Sequence, residues 1–235
     1  MHYVIILAGG VGKRAGGSLP KQFQKLGGIP VVIRCLNSFV TAFPGCRFVV
    51  VMNSDFYSVW NQISGEYNLE EKFPDLLVVD GGRSRVASVR NGLEALASCT
   101  EIKSDDVVLI QDGARPLVGP EVILDTVANV ATGIGSVPAV PLSDSIRYVD
   151  AKGSKVVDRS RFMAVQTPQT FLFGDILSAY RNVTDDSLFT DDASVAEAAG
   201  MKIILTKGDV RNIKLTNPVD FDLAEILIKN PAKNC

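Results

Sequence analysis

Apolar runs and apolar helical faces alternate along the first 131 residues. Residues 3–7 form a short β-branched run that ends at Gly9-Gly10, the pattern of a buried strand feeding a loop. Val31, Val32, Cys35, Leu36, Phe39 and Val40 recur at helical spacing over 30–43, and Pro30 suits a first turn. Residues 47–52 read as a second buried strand, 55–67 as a helix, and 76–79 as a third strand running into Asp80-Gly81-Gly82. A helix over 84–97 carries Val86, Val89, Leu93 and Leu96 on one face. A strand at 106–110 and a helix at 120–131 follow. This β-α repetition implies an α/β fold of three layers, a mostly parallel sheet with helices on both faces. Ligands of such sheets bind outside the carboxyl ends of the strands. Strand direction therefore puts loops 9–21, 80–88 and 111–116 on one edge.

The rhythm changes from residue 134. Val137-Pro138-Ala139-Val140-Pro141 leads into a loosely alternating stretch, 144–158, with a turn at Asp150-Ala151-Lys152-Gly153. That is the pattern of a hairpin projecting from the sheet, and an arm with little core of its own packs on something else, such as a second subunit. Helices near 174–182 and 191–199, a strand at 202–206 and a last helix starting at Asn217-Pro218 complete the chain. The expected organisation is one domain over residues 1–235 with a dimerisation arm at about 137–163.

Composition excludes more than it suggests. The chain has 235 residues, an apolar fraction of 46% and a charged fraction of 21%, ordinary for a folded protein. The one histidine is His2, so histidine triads and multi-histidine metal centres are excluded unless His2 serves. Cys35, Cys46, Cys99 and Cys235 are too widely spaced for a C-x-x-C element, and the first three read as buried thiols of a reducing compartment. No apolar run reaches the ~20 residues that span a bilayer, and the N-terminus lacks a basic n-region, so the expected location is the cytoplasm, with no membrane partner. The net charge of −2 disfavours nucleic acid. It hides an asymmetry. The six cations Lys13, Arg14, Lys21, Lys25, Arg34 and Arg47 precede the first acid, Asp55. A basic first quarter on an acidic body suggests a local anion site.

The glycine loop admits three readings. Gly10-Val11-Gly12-Lys13-Arg14-Ala15 fits G-x-G-x-x-A, but no acid follows ~20 residues on to hold a ribose, which disfavours a nicotinamide oxidoreductase. Gly12-Lys13 suggests a P-loop, but Arg14 stands where Ser or Thr would hold Mg²⁺, and Leu7 where the first glycine belongs. The third reading takes Leu7–Arg14 with Pro20-Lys21-Gln22 as a phosphate cradle: glycines let backbone N–H groups approach phosphate, and Arg14 and Lys21 add charge.

Those residues resemble the opening of the sugar-phosphate nucleotidyltransferases. Later segments narrow the resemblance: Asp80-Gly81-Gly82 with Arg85 and Ser88, Asp112-Gly113-Ala114-Arg115-Pro116, Gln166-Thr167-Pro168-Gln169, Thr190-Asp191 and Asn212-Ile213-Lys214-Leu215-Thr216. Together and in order they resemble the 2-C-methyl-D-erythritol 4-phosphate cytidylyltransferases of non-mevalonate isoprenoid synthesis. The resemblance implies a Rossmann-like nucleotide-diphospho-sugar transferase fold. It implies transfer from CTP to methylerythritol phosphate with Mg²⁺, and a homodimer built through the arm. By the same resemblance, Arg14 and Lys21 stabilise the transition state, while Arg159 and Lys214 hold the acceptor phosphate. Ala8, Gly9, Gly10, Gly12, Gly82, Ser88, Asp112 and Gly113 match CTP-binding positions. Asp112, Arg115, Ser145, Thr167 and Thr190 match acceptor-binding ones.

Asp112 has open alternatives: Mg²⁺ ligand, partner of a hydroxyl, or a turn-forming Asp. Thr190 would bind substrate or N-cap its helix, and Ser88 would face the base or the helix surface. Ala8-Gly9-Gly10 replaces the commoner Ala-Ala-Gly, and Gln111-Asp112-Gly113 the commoner His-Asp-Ala. The Ala-Gly-Gly form also occurs in ribitol-5-phosphate cytidylyltransferases, which leaves the acceptor open but not the reaction. A non-catalytic nucleotide sensor would have no need for Arg14, Lys21 and Lys214 together.

Overall fold

The computed structural model describes residues 1–10, 19–99 and 101–230. Strand β1 (His2–Leu7) has four consecutive buried residues because it lies inside the sheet. It runs parallel to β4 (Arg47–Met52) on one side and to β6 (Val107–Asp112) on the other. A strand covered on both faces needs a continuous apolar run, which is the pattern read at 3–7 and 47–52. Between β1 and β4 come a minimal hairpin, β2 (Lys25–Leu26) with β3 (Ile29–Pro30), and helix α1 (Val31–Ala42). Pro30 is the residue before α1 rather than part of its first turn.

The next units are α2 (Tyr57–Tyr67), the short α3 (Leu69–Lys72), β5 (Leu77–Asp80) and α4 (Arg85–Ala97). Ser84 caps α4, its Oγ accepting from the Ala87 N–H at 2.8 Å. After β6 comes α5 (Pro120–Ala128), three residues shorter than its expected end at 131. There Ala131 already bridges to Ile134, so the chain is turning into the next strand.

The second half departs further from the expected rhythm. It contains β7 (Ile134–Pro141), β8 (Arg147–Asp150), β9 (Gly153–Val156), β10 (Met163–Val165) and β11 (Gln169–Leu172). Then follow α6 (Phe173–Arg181), α7 (Asp192–Ala198), β12 (Lys202–Lys207) and α8 (Pro218–Lys229). The main sheet has the order β10-β7-β11-β6-β1-β4-β5, with β12 parallel to β7. β11 is antiparallel to β6 and joins the parallel half to the rest. β8 and β9 pair only with each other, and every residue in them is exposed. This is the projecting hairpin read from the sequence.

Two apolar layers sandwich the sheet. Val4, Ile6, Val50 and Met52 pack on one face with Leu36, Phe39 and Trp60. Tyr3, Ile5, Val49 and Val51 pack on the other with α4 and α6, through Val89, Leu93, Ile176 and Tyr180. Each such side chain contributes about 1.5–3 kcal/mol by leaving water. Rigid layers on both faces leave the carboxyl edge as the place where loops can carry chemistry.

Candidate active site

The loops after β1, β5 and β6 meet at that edge around a cleft of about 350 Å³. The volume falls in the range of small-molecule sites. Gly9 and Gly10 form one wall, Gly82 and Ser88 the second, and Asp112 with Gly113 the floor. Lys21 and Lys214 reach it from segments far apart in sequence. Gly12 and Arg14 lie outside the described residues.

Local structure places each group. Pro20 leads into a 3-10 turn, Lys21–Phe23, which turns Lys21 and the buried Gln22 inward. The Gln22 amide donates to the carbonyls of Ala8 at 2.5 Å and Gly10 at 3.0 Å, tying the glycine loop to this turn. Ala8 itself is buried, and its N–H donates to the Val51 carbonyl at 2.7 Å. The Lys21 ammonium donates to the Leu215 carbonyl at 2.7 Å, beside Lys214. Gly113 is required sterically: a Cβ there would lie 2.7 Å from the Leu7 carbonyl oxygen. Gly82 is equally confined, with a Cβ meeting that of Ala87 at 2.3 Å. The Gly82 N–H donates to Ser88 Oγ at 3.0 Å, and that hydroxyl donates to the Ser84 carbonyl at 2.8 Å. Ser88 is therefore a loop clamp on the inner side of α4, not a helix-surface residue.

Asp112 is the electrostatic centre. Its carboxylate receives Lys214 Nζ at 2.7 Å, with Arg85 Nε at 3.5 Å and Arg115 Nε at 3.9 Å. Burial alone would raise its pKa, but Arg85, Lys214 and Arg115 outweigh burial and hold it below the usual carboxylate range. The turn-forming alternative for Asp112 is corrected, because its side chain binds cations from two distant segments, Arg85 and Lys214, besides Arg115 of its own loop. Arg115 is lowered by burial, with Asp112 acting in the opposite sense. Its Nη1 donates to the Asn212 carbonyl at 2.7 Å, which anchors the loop that bears Lys214.

The remaining candidates sit elsewhere. The Thr167 hydroxyl is buried, donates to Gln111 Oε1 at 2.9 Å and accepts from the Asp112 N–H at 3.1 Å, so it braces the floor from behind. Ser145 and Arg159 are exposed on the arm side and do not line the cleft. The Arg159 guanidinium donates to the Ser143 carbonyl. Thr190 is exposed, and its expected N-cap role is corrected: Asp191 caps α7, with Ser194 closing the box. Among the described residues, no cluster of three metal-binding side chains occurs. His2 stacks on Phe43 at 4.0 Å, away from the cleft. Cys35 is buried, its thiol pushed up to about 12 mainly by burial, whereas Cys46 and Cys99 are only half-buried.

Sequence reasoning missed part of the machinery. Arg83 and Arg85 both line the cleft, although Arg85 entered only as part of a motif. Asp192, fully buried, takes both Nη groups of Arg85, at 2.9 and 2.6 Å. Asn212, also fully buried, donates to the Thr167 carbonyl at 2.9 Å. The one legible signal for Asp192 is adjacency to the motif Thr190-Asp191, while Asn212 entered only as part of the motif Asn212-Ile213-Lys214.

With this geometry in place, similarity to known proteins is informative. The family model described as 2-C-methyl-D-erythritol 4-phosphate cytidylyltransferase matches residues 2–230. A protein of that name from Phocaeicola vulgatus is 36% identical over 227 residues, 97% of this chain and 99% of its own length. One from Cereibacter sphaeroides is 42% identical over 229 residues, 95% of either chain. The crystal structure of the Francisella tularensis protein of the same name superimposes with a TM-score of 0.77 at 28% identity, covering 96% of this chain and 98% of that one.

Proposed function

Because the chain belongs to the 2-C-methyl-D-erythritol 4-phosphate cytidylyltransferase family, we propose that its cleft joins CTP to 2-C-methyl-D-erythritol 4-phosphate, in isoprenoid precursor synthesis. A non-bridging oxygen of the acceptor phosphate attacks the α-phosphorus of CTP. The bond from that phosphorus to the bridging oxygen breaks, and pyrophosphate leaves. The single observation that carries the reading is the convergence of Lys21, Lys214 and two glycine loops on one cleft. Two phosphate groups repel each other, so the work of the protein is charge neutralisation and in-line positioning. In this reading Lys21 neutralises the nucleotide phosphates, and Arg14, seven positions earlier in the sequence, supplies a second cation. Lys214, 46% exposed, is placed to move from Asp112 onto the acceptor phosphate. Gly9 and Gly10 give backbone access to the triphosphate, while Gly82 and Ser88 shape the base wall.

Mg²⁺ fits the donor set. It takes one or two carboxylates and completes its shell with phosphate oxygens and water, and Asp112 offers one carboxylate in the cleft. When bound, the ion would neutralise charge on the nucleotide phosphates. The homodimer is part of the same proposal. Val149 and Val156 are exposed on one face of the arm, Val149 at 70%, and Tyr148 on the other; such apolar surface favours a second copy that Arg159 could reach across. The free thiols Cys35, Cys46 and Cys99 favour a reducing compartment, the cytoplasm.

The ribitol 5-phosphate alternative is disfavoured by the family match. The test is pyrophosphate release from CTP and Mg²⁺ with each acceptor in parallel. Much faster release with methylerythritol phosphate is expected. Preference for ribitol phosphate would reassign the acceptor, and release with neither from folded protein would overturn the reading.

A further inference from the structure

Asp192 lies behind the cleft rather than in it. It is fully buried, and its carboxylate accepts from Arg85 Nη1 at 2.9 Å, Arg85 Nη2 at 2.6 Å and the Tyr180 hydroxyl at 2.5 Å. Capping does not account for it, since Asp191 caps α7. A buried ion pair is a poor way to gain stability, as an apolar pair of similar volume serves as well or better. Its geometry has a consequence in the cleft. Both Nη groups of Arg85 are held by Asp192, so the guanidinium presents only its Nε edge to Asp112 Oδ1, at 3.5 Å. Asp112 Oδ2 receives Lys214 Nζ at 2.7 Å, with Arg115 Nε farther off at 3.9 Å. Charge alternates along the row Asp192, Arg85, Asp112, Lys214.

We infer that Asp192 is a positioning residue for the transfer reaction: it restrains Arg85 so that Asp112 keeps one oxygen for Lys214. Without the restraint, Arg85 closes its own fork on both oxygens of Asp112, the preferred guanidinium–carboxylate geometry. Lys214 then loses the partner that aims it. This rests on assigning the cleft to cytidylyl transfer.

The experiment compares wild type, Asp192→Asn, Arg85→Met and the double variant by steady-state pyrophosphate release, each checked for folding by urea denaturation. Asp192→Asn is expected to lose about tenfold or more in kcat, the scale of a sub-ångström misplacement, with the KM for CTP nearly unchanged. The double variant is expected to regain several-fold over Asp192→Asn, because the competing guanidinium is gone. A purely structural role predicts the reverse order, the double no better than the single, and that result overturns the inference. Unaltered kcat in Asp192→Asn also overturns it. Should Asp192→Asn not fold, Tyr180→Phe takes its place, keeping the pair but removing the hydroxyl that steadies it. A fall of about twofold or more in kcat alone is then expected, and no fall refutes the role. Wild type without CTP turnover sinks the functional assignment and this inference together, whereas active wild type with unaffected variants sinks the inference alone.

Discussion

Adding one methyl group at Gly113 tests whether the floor of the cleft is as rigid as its packing implies. The new Cβ would stand 2.7 Å from the Leu7 carbonyl oxygen and 3.3 Å from Ile6 Cγ2, where ordinary contact begins near 3.4 Å. Neither neighbour can retreat, because β1 is held on both sides by β4 and β6. The loop after β6 must therefore move outward by about 0.7 Å. That movement breaks or stretches the 3.0 Å bond from the Gly113 N–H to the Leu7 carbonyl. Overpacking of this kind costs about 1–3 kcal/mol. The same shift carries Asp112 away from Lys214, and misplacement by about 1 Å costs up to ~100-fold in rate. The expected outcome is a urea midpoint lowered by that free energy and a kcat reduced by about tenfold to 100-fold. Gly65→Ala is the control: nothing lies within 4 Å of a Cβ there, and it sits inside α2, so it should stabilise by up to about 1 kcal/mol. If Gly113→Ala were as stable and as active as wild type, the argument that the sheet fixes the cleft floor would be refuted.

Lys21→Ala should lower kcat far more than it raises the KM for CTP, as an interaction made mainly in the transition state does; equal losses in both would indicate simple ground-state binding. Arg159→Ala should raise the KM for the acceptor phosphate and leave that for CTP unchanged. Mixing it with inactive Lys214→Ala should restore part of the activity if the arm acts across a dimer, and no restoration would count against that arrangement. His2 has its pKa lowered, first by burial and then by the N-terminal ammonium. The unfolded chain thus takes up its proton more readily, so this contribution to stability is present above about pH 6.5 and is lost as pH falls below it. Because His2 is the chain's one histidine, a single imidazole resonance in NMR should titrate below 6.5; a higher value would contradict the stacked, half-buried setting on Phe43.

Legibility in the sequence followed burial. β1, β4 and β6 are covered on both faces, so their apolar runs are unbroken and could be read directly. β11 was missed because its buried residues include Gln169 and Thr170, which hydrogen-bond inside the core and break any apolar pattern. β7 was not read as a strand because Pro138 and Pro141 mimic a loop, although the Pro138 carbonyl still accepts from Gln166 at 2.7 Å. The glycine loops and Asp112 were legible because each sits at a strand end, and Lys21 and Lys214 because each sits in a compact motif. The Arg85–Asp192 pair was not, since its members are 107 residues apart and only folding brings them together.

The contact between Lys21 and the Leu215 carbonyl spans 194 positions of the chain. Arg85 and Asp112 come from the second quarter of it and Lys214 from the last. No contiguous fragment ending before Leu215 holds all of these groups, however well its own strands pair. A chain interrupted in synthesis or clipped before Lys214 lacks the cation that pairs with Asp112. The Asp112–Lys214 pair and the Lys21–Leu215 contact thus arrive last, once the chain has been made past Leu215.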